Sequence, residues 1–142
     1  MTLKVGIVGL GRMGKTHAEH LSKYINGVEL VAACSLFQNE LDYAKEHFGV
    51  RLFYQSFEEM IDNANLDAVV VAAGADVRPE MVEYSIKKGV HTFAEKPLGL
   101  SVDQIEKVKN VIEDNQEKVK FQVGFMRRFD EDYLYVKKMI DD

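Results

Sequence analysis

One cysteine is all the chain contains, so no internal disulfide can staple it and no pair of thiolates can anchor a metal. Cys34 is expected to be a small core residue. Excess positive charge is missing too: 18 Lys and Arg stand against 23 Asp and Glu, a net charge of −5, which argues against the phosphate attraction that dominates nucleic-acid binding. Lys and Arg cluster at Arg127–Arg128, but that pair lies among Asp130, Glu131 and Asp132, which cancel its field. No apolar run approaches the roughly 20 residues of a membrane span, and Met1 leads almost directly into a strand-like segment without a secretory apolar core. Neither nucleic acid nor membrane is therefore expected as a partner, and a cytoplasmic address follows by default. Repeats, low-complexity tracts and linkers are also lacking. The 142 residues, 46% of them hydrophobic, suit one folded core and are too apolar for disorder.

What is present is an alternation of short β-branched runs with helical spacings. Val5–Val8, Val28–Cys34, Arg51–Tyr54, Ala68–Ala72, Val90–Ala94 and Val119–Val123 read as strands. Between them, Met13–Tyr24, Asn39–Phe48, Phe57–Asn63, Pro79–Lys88 and Ser101–Asn115 carry helical patterns, and a last helix is predicted over Asp130–Ile140. The punctuation agrees. Asn26-Gly27, Gly49 and Gly89 are helix stops, Ser56 with Glu59 forms a capping-box pattern, and Pro79 fits a first helical turn. On the first helix, Met13, Ala18 and Leu21, with Tyr24 and Ile25 beyond them, predict one buried face; Leu41, Tyr43, Ala44 and Phe48 do so on the second. Strict alternation implies an α/β, doubly wound Rossmann fold with a six-stranded, mostly parallel sheet and helices on both faces.

At the end of the first strand, Gly9-Leu10-Gly11-Arg12-Met13-Gly14 matches G-x-G-x-x-G. The three glycines serve separate purposes. Gly9 permits the tight turn, Gly11 lets a pyrophosphate approach the backbone, and Gly14 lets helix and strand pack closely. The anion then rests on the helix N-terminus. An acidic residue is expected about 20 residues further on to bind the adenosine ribose. Ser35 holds that position instead, and no Arg or Lys follows at 36–38 to take a 2′-phosphate, although Arg12 in the glycine turn could reach one. The choice between NAD and NADP stays open at this point.

Glu95-Lys96-Pro97 follows the fifth strand, at the sheet edge where open α/β folds place ligands. A lysine there can hydrogen-bond a substrate hydroxyl and stabilise charge developing on oxygen. Together with the glycine turn, His17, the Asp67–Ala72 strand, Gly89-Val90-His91 and Val123 to Asp130, this run resembles the Gfo/Idh/MocA family of oxidoreductases, most nearly its inositol 2-dehydrogenases. The similar segments occur in the family's order across nearly the whole chain.

The resemblance implies an NAD(P)-dependent dehydrogenase of sugars or polyols. It makes Lys96 a catalytic residue touching nicotinamide ribose and substrate, Glu95 a ribose ligand and Arg127 a residue facing the substrate. His17 is expected to be a packed structural histidine, and the Lys96–Pro97 peptide a candidate for cis. The expected cofactor site is then Gly9, Gly11, Arg12, Met13, Gly14, Ser35, Ala73, Gly74, Glu95 and Lys96, with no metal. Two departures stand out: Ala73-Gly74 replaces the family's usual Thr-Pro, with Arg78 where a histidine is common, and all four histidines precede residue 95. The family's second domain, which supplies an Asp and a His for proton transfer, is therefore expected to be absent from residues 1–142. Such a chain should bind cofactor with little or no turnover and associate as a homo-oligomer. The alternative is a complete non-catalytic dinucleotide-binding or regulatory module.

Overall fold

The computed structural model describes residues 2–141. Strand β1 (Leu3–Val8) leads into helix α1 (Arg12–Lys23), followed by β2 (Val28–Cys34), α2 (Gln38–Phe48), β3 (Leu52–Tyr54) and α3 (Phe57–Asn63). The second half repeats the pattern with β4 (Ala68–Val71), α4 (Arg78–Lys87), β5 (His91–Ala94), α5 (Val102–Asn115) and β6 (Phe121–Val123). A single 3₁₀ turn, Met126–Arg128, then precedes α6 (Glu131–Asp141). The strands form one sheet in the order β3-β2-β1-β4-β5-β6, and all five pairings are parallel, so the expectation of a mostly parallel sheet sharpens to an entirely parallel one. The order reverses between β1 and β4, which is where doubly wound sheets open a ligand crevice.

The period of two along each strand divides the apolar residues between two cores. Val5 and Ile7 of β1, Ala33 of β2 and Val70 of β4 pack with Ala18, Leu41 and Ala44 from α1 and α2. Their neighbours Val8, Ala32, Cys34, Val69 and Val71 pack with Met60, Val82, Ile86 and Val108 from α3, α4 and α5. Near-continuous apolar strands are thus required by burial on both faces.

Helix ends follow local chemistry. Ser101 and Gln104 complete a reciprocal capping box on α5, and Ser56 accepts from the Glu59 amide on α3, although there the glutamate gives nothing back. Gly49 ends α2 with φ +68°, a left-handed conformation that costs glycine little.

Three expectations need correction. Tyr24 and Ile25 are 68% and 48% exposed, because α1 ends at Lys23 and the chain turns away before they can join its buried face. Tyr43 is exposed too, since Leu41, Ala44 and Phe48 already fill the inward stripe of α2. Finally, β6 starts at Phe121 and not at Val119, whose amide is occupied by the Asn115 carbonyl at the end of α5.

Candidate cofactor site

Strand register aligns Val8, Cys34, Tyr54, Val71, Ala94 and Val123 in one row across the sheet. The residues within three positions beyond that row therefore share the carboxyl edge, among them Gly9, Ser35, Ala73, Gly74, Glu95 and Gly124, drawn from segments far apart in sequence.

The glycine turn is built as its spacing requires. Gly9 has φ +81°, and a β-carbon on it would lie 2.6 Å from the Ala73 amide nitrogen. A β-carbon on Gly14 would lie 1.8 Å from the Gly9 carbonyl oxygen, so helix and turn meet in backbone contact. At Gly11 a β-carbon would meet nothing within 4 Å. Gly11 caps α1 without a side-chain hydrogen bond, and the first turn of α1 holds no acidic residue. The amide donors at this end of the helix, with its positive dipole, are left for an anion.

Beside the turn lies a cleft of about 500 Å³ lined by Gly9, Gly11, Ser35, Phe37, Glu40, Gln55, Ala73 and Gly74, among others. Ser35 is buried; its amide donates to the Tyr54 carbonyl, and its hydroxyl donates to Glu40 Oε2 at 2.5 Å while accepting from the Phe37 amide at 3.1 Å. Cys34, also in the lining, has its thiol pushed up to about 12 by burial first and then by the Glu58 and Glu59 carboxylates. It is a neutral wall residue. Arg12 is exposed and lies outside this lining, and Gly14 serves packing.

A second hollow, about 250 Å³, runs between α1 and the ends of β5 and β6 and includes Met13, His17, Phe93, Glu95 and Gly124. Glu95 is only 6% exposed. Its carboxylate meets His17 Nε2 at 2.8 Å through Oε1 and accepts the Lys96 amide at 3.1 Å through Oε2. Space for that arrangement depends on Gly124, where a β-carbon would sit 2.9 Å from Phe93 Cζ and 3.3 Å from Glu95 Oε1. The expected cofactor residues are thus divided: Gly9, Gly11, Ser35, Ala73 and Gly74 border one cleft, and Met13 and Glu95 border the other.

Lys96 is exposed on the same edge, its peptide to Pro97 is cis, and its ammonium makes no ion pair among the described residues. Behind it lies a residue whose part sequence reasoning did not foresee. Arg78 is 5% exposed and its two terminal nitrogens donate to the carbonyls of Ala73 and Pro97, tying the loop after β4 to the loop after β5. Burial lowers its pKa, opposed by Glu95 and Asp76; a guanidinium nevertheless stays cationic. The signal in the sequence was the arginine itself, at a position the family usually gives to histidine.

Arg127, in the 3₁₀ turn after β6, is exposed, pairs with Asp130 at 3.3 Å and lies 4.7 Å from the centre of the Tyr133 ring. It therefore shares the edge with Lys96 but is turned toward the start of α6. Among the described residues no three His, Cys, Asp or Glu side chains gather where they could hold a metal ion, and no helix is long and apolar enough to cross a membrane.

Residues 3–125 match the oxidoreductase family with an NAD-binding Rossmann fold, the Gfo/Idh/MocA group. The chain belongs to this family. Among curated Gfo/Idh/MocA relatives, the inositol 2-dehydrogenase of Salmonella typhimurium is 29% identical over 142 residues, and the inositol 2-dehydrogenase/D-chiro-inositol 3-dehydrogenase of Lactiplantibacillus plantarum is 34% identical over 143. These alignments cover 99% and 98% of this chain but 42% and 40% of the relatives. Among solved structures, scyllo-inositol dehydrogenase from Lactobacillus casei with bound NAD(H) and scyllo-inositol superposes with a TM-score of 0.95 at 41% identity, over 99% of this chain and 41% of that one. The chain thus spans about two-fifths of the length of the relatives it matches.

Proposed function

We propose that this chain is the cofactor-holding part of a dehydrogenase that moves hydride between nicotinamide and a secondary alcohol of an inositol-like polyol or sugar. The observation that carries this reading is the uncapped N-terminus of α1 behind an unobstructed Gly11, opening beside a cleft that reaches Ser35. A dinucleotide fits that shape: its pyrophosphate would lie on the Gly11 backbone and the α1 amides, and its adenosine half in the cleft. When bound, the nicotinamide supplies the hydride chemistry. The chain's own residues hold and orient. Glu95, fixed by His17, offers its carboxylate to ribose hydroxyls, and Lys96 presents an ammonium that can hydrogen-bond the substrate oxygen and stabilise charge growing there. Arg127, once released from Asp130, is the candidate for a second contact to the substrate.

The polyol assignment is supported by the inositol dehydrogenases among the relatives. In this proposal proton transfer to and from the hydroxyl belongs to a second domain outside residues 1–142, so the chain alone binds cofactor and turns over little. Incubation with NAD and myo-inositol should produce no NADH above background, while NADH binding is measurable; turnover at the rate of a full dehydrogenase would contradict the division of labour. The apolar residues exposed after β6 and on α6, including Phe125, Phe129 and Leu134, favour self-association, which sedimentation at rising concentration would detect and a strictly monomeric profile would exclude.

A further inference from the structure

The end of β2 carries no acidic residue of its own, yet a carboxylate is delivered there from the next helix. Glu40 lies in the first turn of α2, half-buried, and lines the same cleft as the glycine turn. We propose that Glu40 selects NAD(H) over NADP(H), filling the place that the sequence position of Ser35 leaves empty of charge. The inference rests on the cofactor reading above and adds the choice of nucleotide to it.

Three observations converge on Glu40. The Ser35 hydroxyl has its single proton committed to Glu40 Oε2 at 2.5 Å and receives the Phe37 amide at 3.1 Å, so the serine acts as a bracket that fixes the carboxylate at the strand end. An adenosine ribose seated beyond the glycine turn would offer its hydroxyl donors to that carboxylate, as it does to the acidic residue ordinarily found at the end of the second strand. A 2′-phosphate at the same place would meet negative charge at hydrogen-bond range.

The cleft offers that phosphate no compensation. Its lining includes two carboxylates, Glu40 and Glu58, and no lysine or arginine. Arg12, the cation that the sequence offered for a 2′-phosphate, is exposed and is not among the lining residues. The N-terminus of α2 is also spoken for. Phe37 gives it no side-chain cap, but Glu40 places its own negative charge in the first turn, where the helix dipole favours it. Discrimination here depends on a repulsive element as much as on an attractive one.

Calorimetric titration of NADH and NADPH into residues 1–142 tests the proposal, with Glu40→Gln and Glu58→Gln as variants. The unsubstituted chain should bind NADH at least ~100-fold more tightly than NADPH, as expected where a charged group is placed against the competitor. Glu40→Gln keeps an oxygen for the Ser35 hydroxyl but removes the charge, and should narrow that ratio by ~10-fold or more, whereas Glu58→Gln should change it by no more than about twofold. Near-equal binding of the two nucleotides by the unsubstituted chain overturns the proposal, even if Glu40→Gln fails to fold. So does an unchanged ratio in a folded Glu40→Gln variant, or an equal narrowing by Glu58→Gln. Binding of neither nucleotide overturns the cofactor reading itself, and the inference with it.

Discussion

His17 Nε2 lies 2.8 Å from Glu95 Oε1, joining α1 to the end of β5 across 78 residues of sequence. The contact gives the nearly buried carboxylate of Glu95 one of its two partners among the described residues, the other being the Lys96 amide. The histidine, on the first helix, packs against Phe93, and what it holds is a group of the candidate site.

Replacing His17 with alanine should therefore cost about 1–3 kcal/mol, the usual penalty for leaving a buried acceptor without its donor. Urea unfolding checks the magnitude. Weaker NADH binding should accompany it, because Glu95 loses the contact that orients it. A variant with unchanged stability and unchanged affinity would show that the pair contributes neither packing nor positioning.

The glycines of the turn should separate into two kinds. Alanine at Gly9 would adopt an unfavourable positive φ and press on the Ala73 backbone, and alanine at Gly14 would overlap the Gly9 carbonyl. Each substitution should cost more than about 2 kcal/mol, since backbone atoms cannot step aside as a flexible side chain can. Thermal unfolding of the two variants measures this directly; melting temperatures equal to that of the unsubstituted chain would contradict the geometry.

Arg78 makes a further prediction. Methionine in its place fills part of the volume but leaves the Ala73 and Pro97 carbonyls without donors. A loss of about 1–3 kcal/mol is expected, with lysine restoring part of it through one of the two contacts. Denaturant titration of both variants decides, and equal stability of the arginine and methionine forms would show that the two loops do not need the tie.

How much of this could be read from the sequence depends on the range of the interactions. Strand and helix positions were legible because burial on two faces demands apolar runs and helical stripes, and the glycine turn because each glycine answers a local steric need. The cis Lys96–Pro97 peptide was likewise flagged by the proline. Less accessible were the contacts made by folding distant segments together. Nothing near Glu95 announces that His17, 78 residues earlier, will hold its carboxylate, nor does Gly124 declare that its missing side chain makes room for Phe93 and Glu95. Tyr24 and Ile25 were misplaced for a related reason: a helical stripe continues on paper past the residue where the chain leaves the helix.

Cys34 carries the pH prediction. Its pKa is raised in the folded chain to about 12 from an ordinary value of 9.0, so the folded state holds the proton more tightly than the unfolded one. The associated stability is fully present below pH 9 and is lost as pH rises toward 12. At pH 8, reaction with Ellman's reagent should be much slower in the folded chain than in urea, because the thiolate is the reactive form and the folded chain keeps Cys34 buried and protonated. Equal rates in the two states would contradict a buried, neutral thiol.

The central claim is that a dinucleotide rests on the Gly11 backbone at the N-terminus of α1. Calorimetric titration of NADH into the unsubstituted chain and into Gly11→Ala tests it most directly, because a β-carbon at this position meets nothing in the fold and projects only into open space. The predicted result is saturable one-to-one binding by the unsubstituted chain and, in a variant of unchanged melting temperature, affinity reduced by about tenfold or more, corresponding to the loss of roughly 1.4 kcal/mol. Equal NADH affinity in the two proteins, or none in either, would contradict the account.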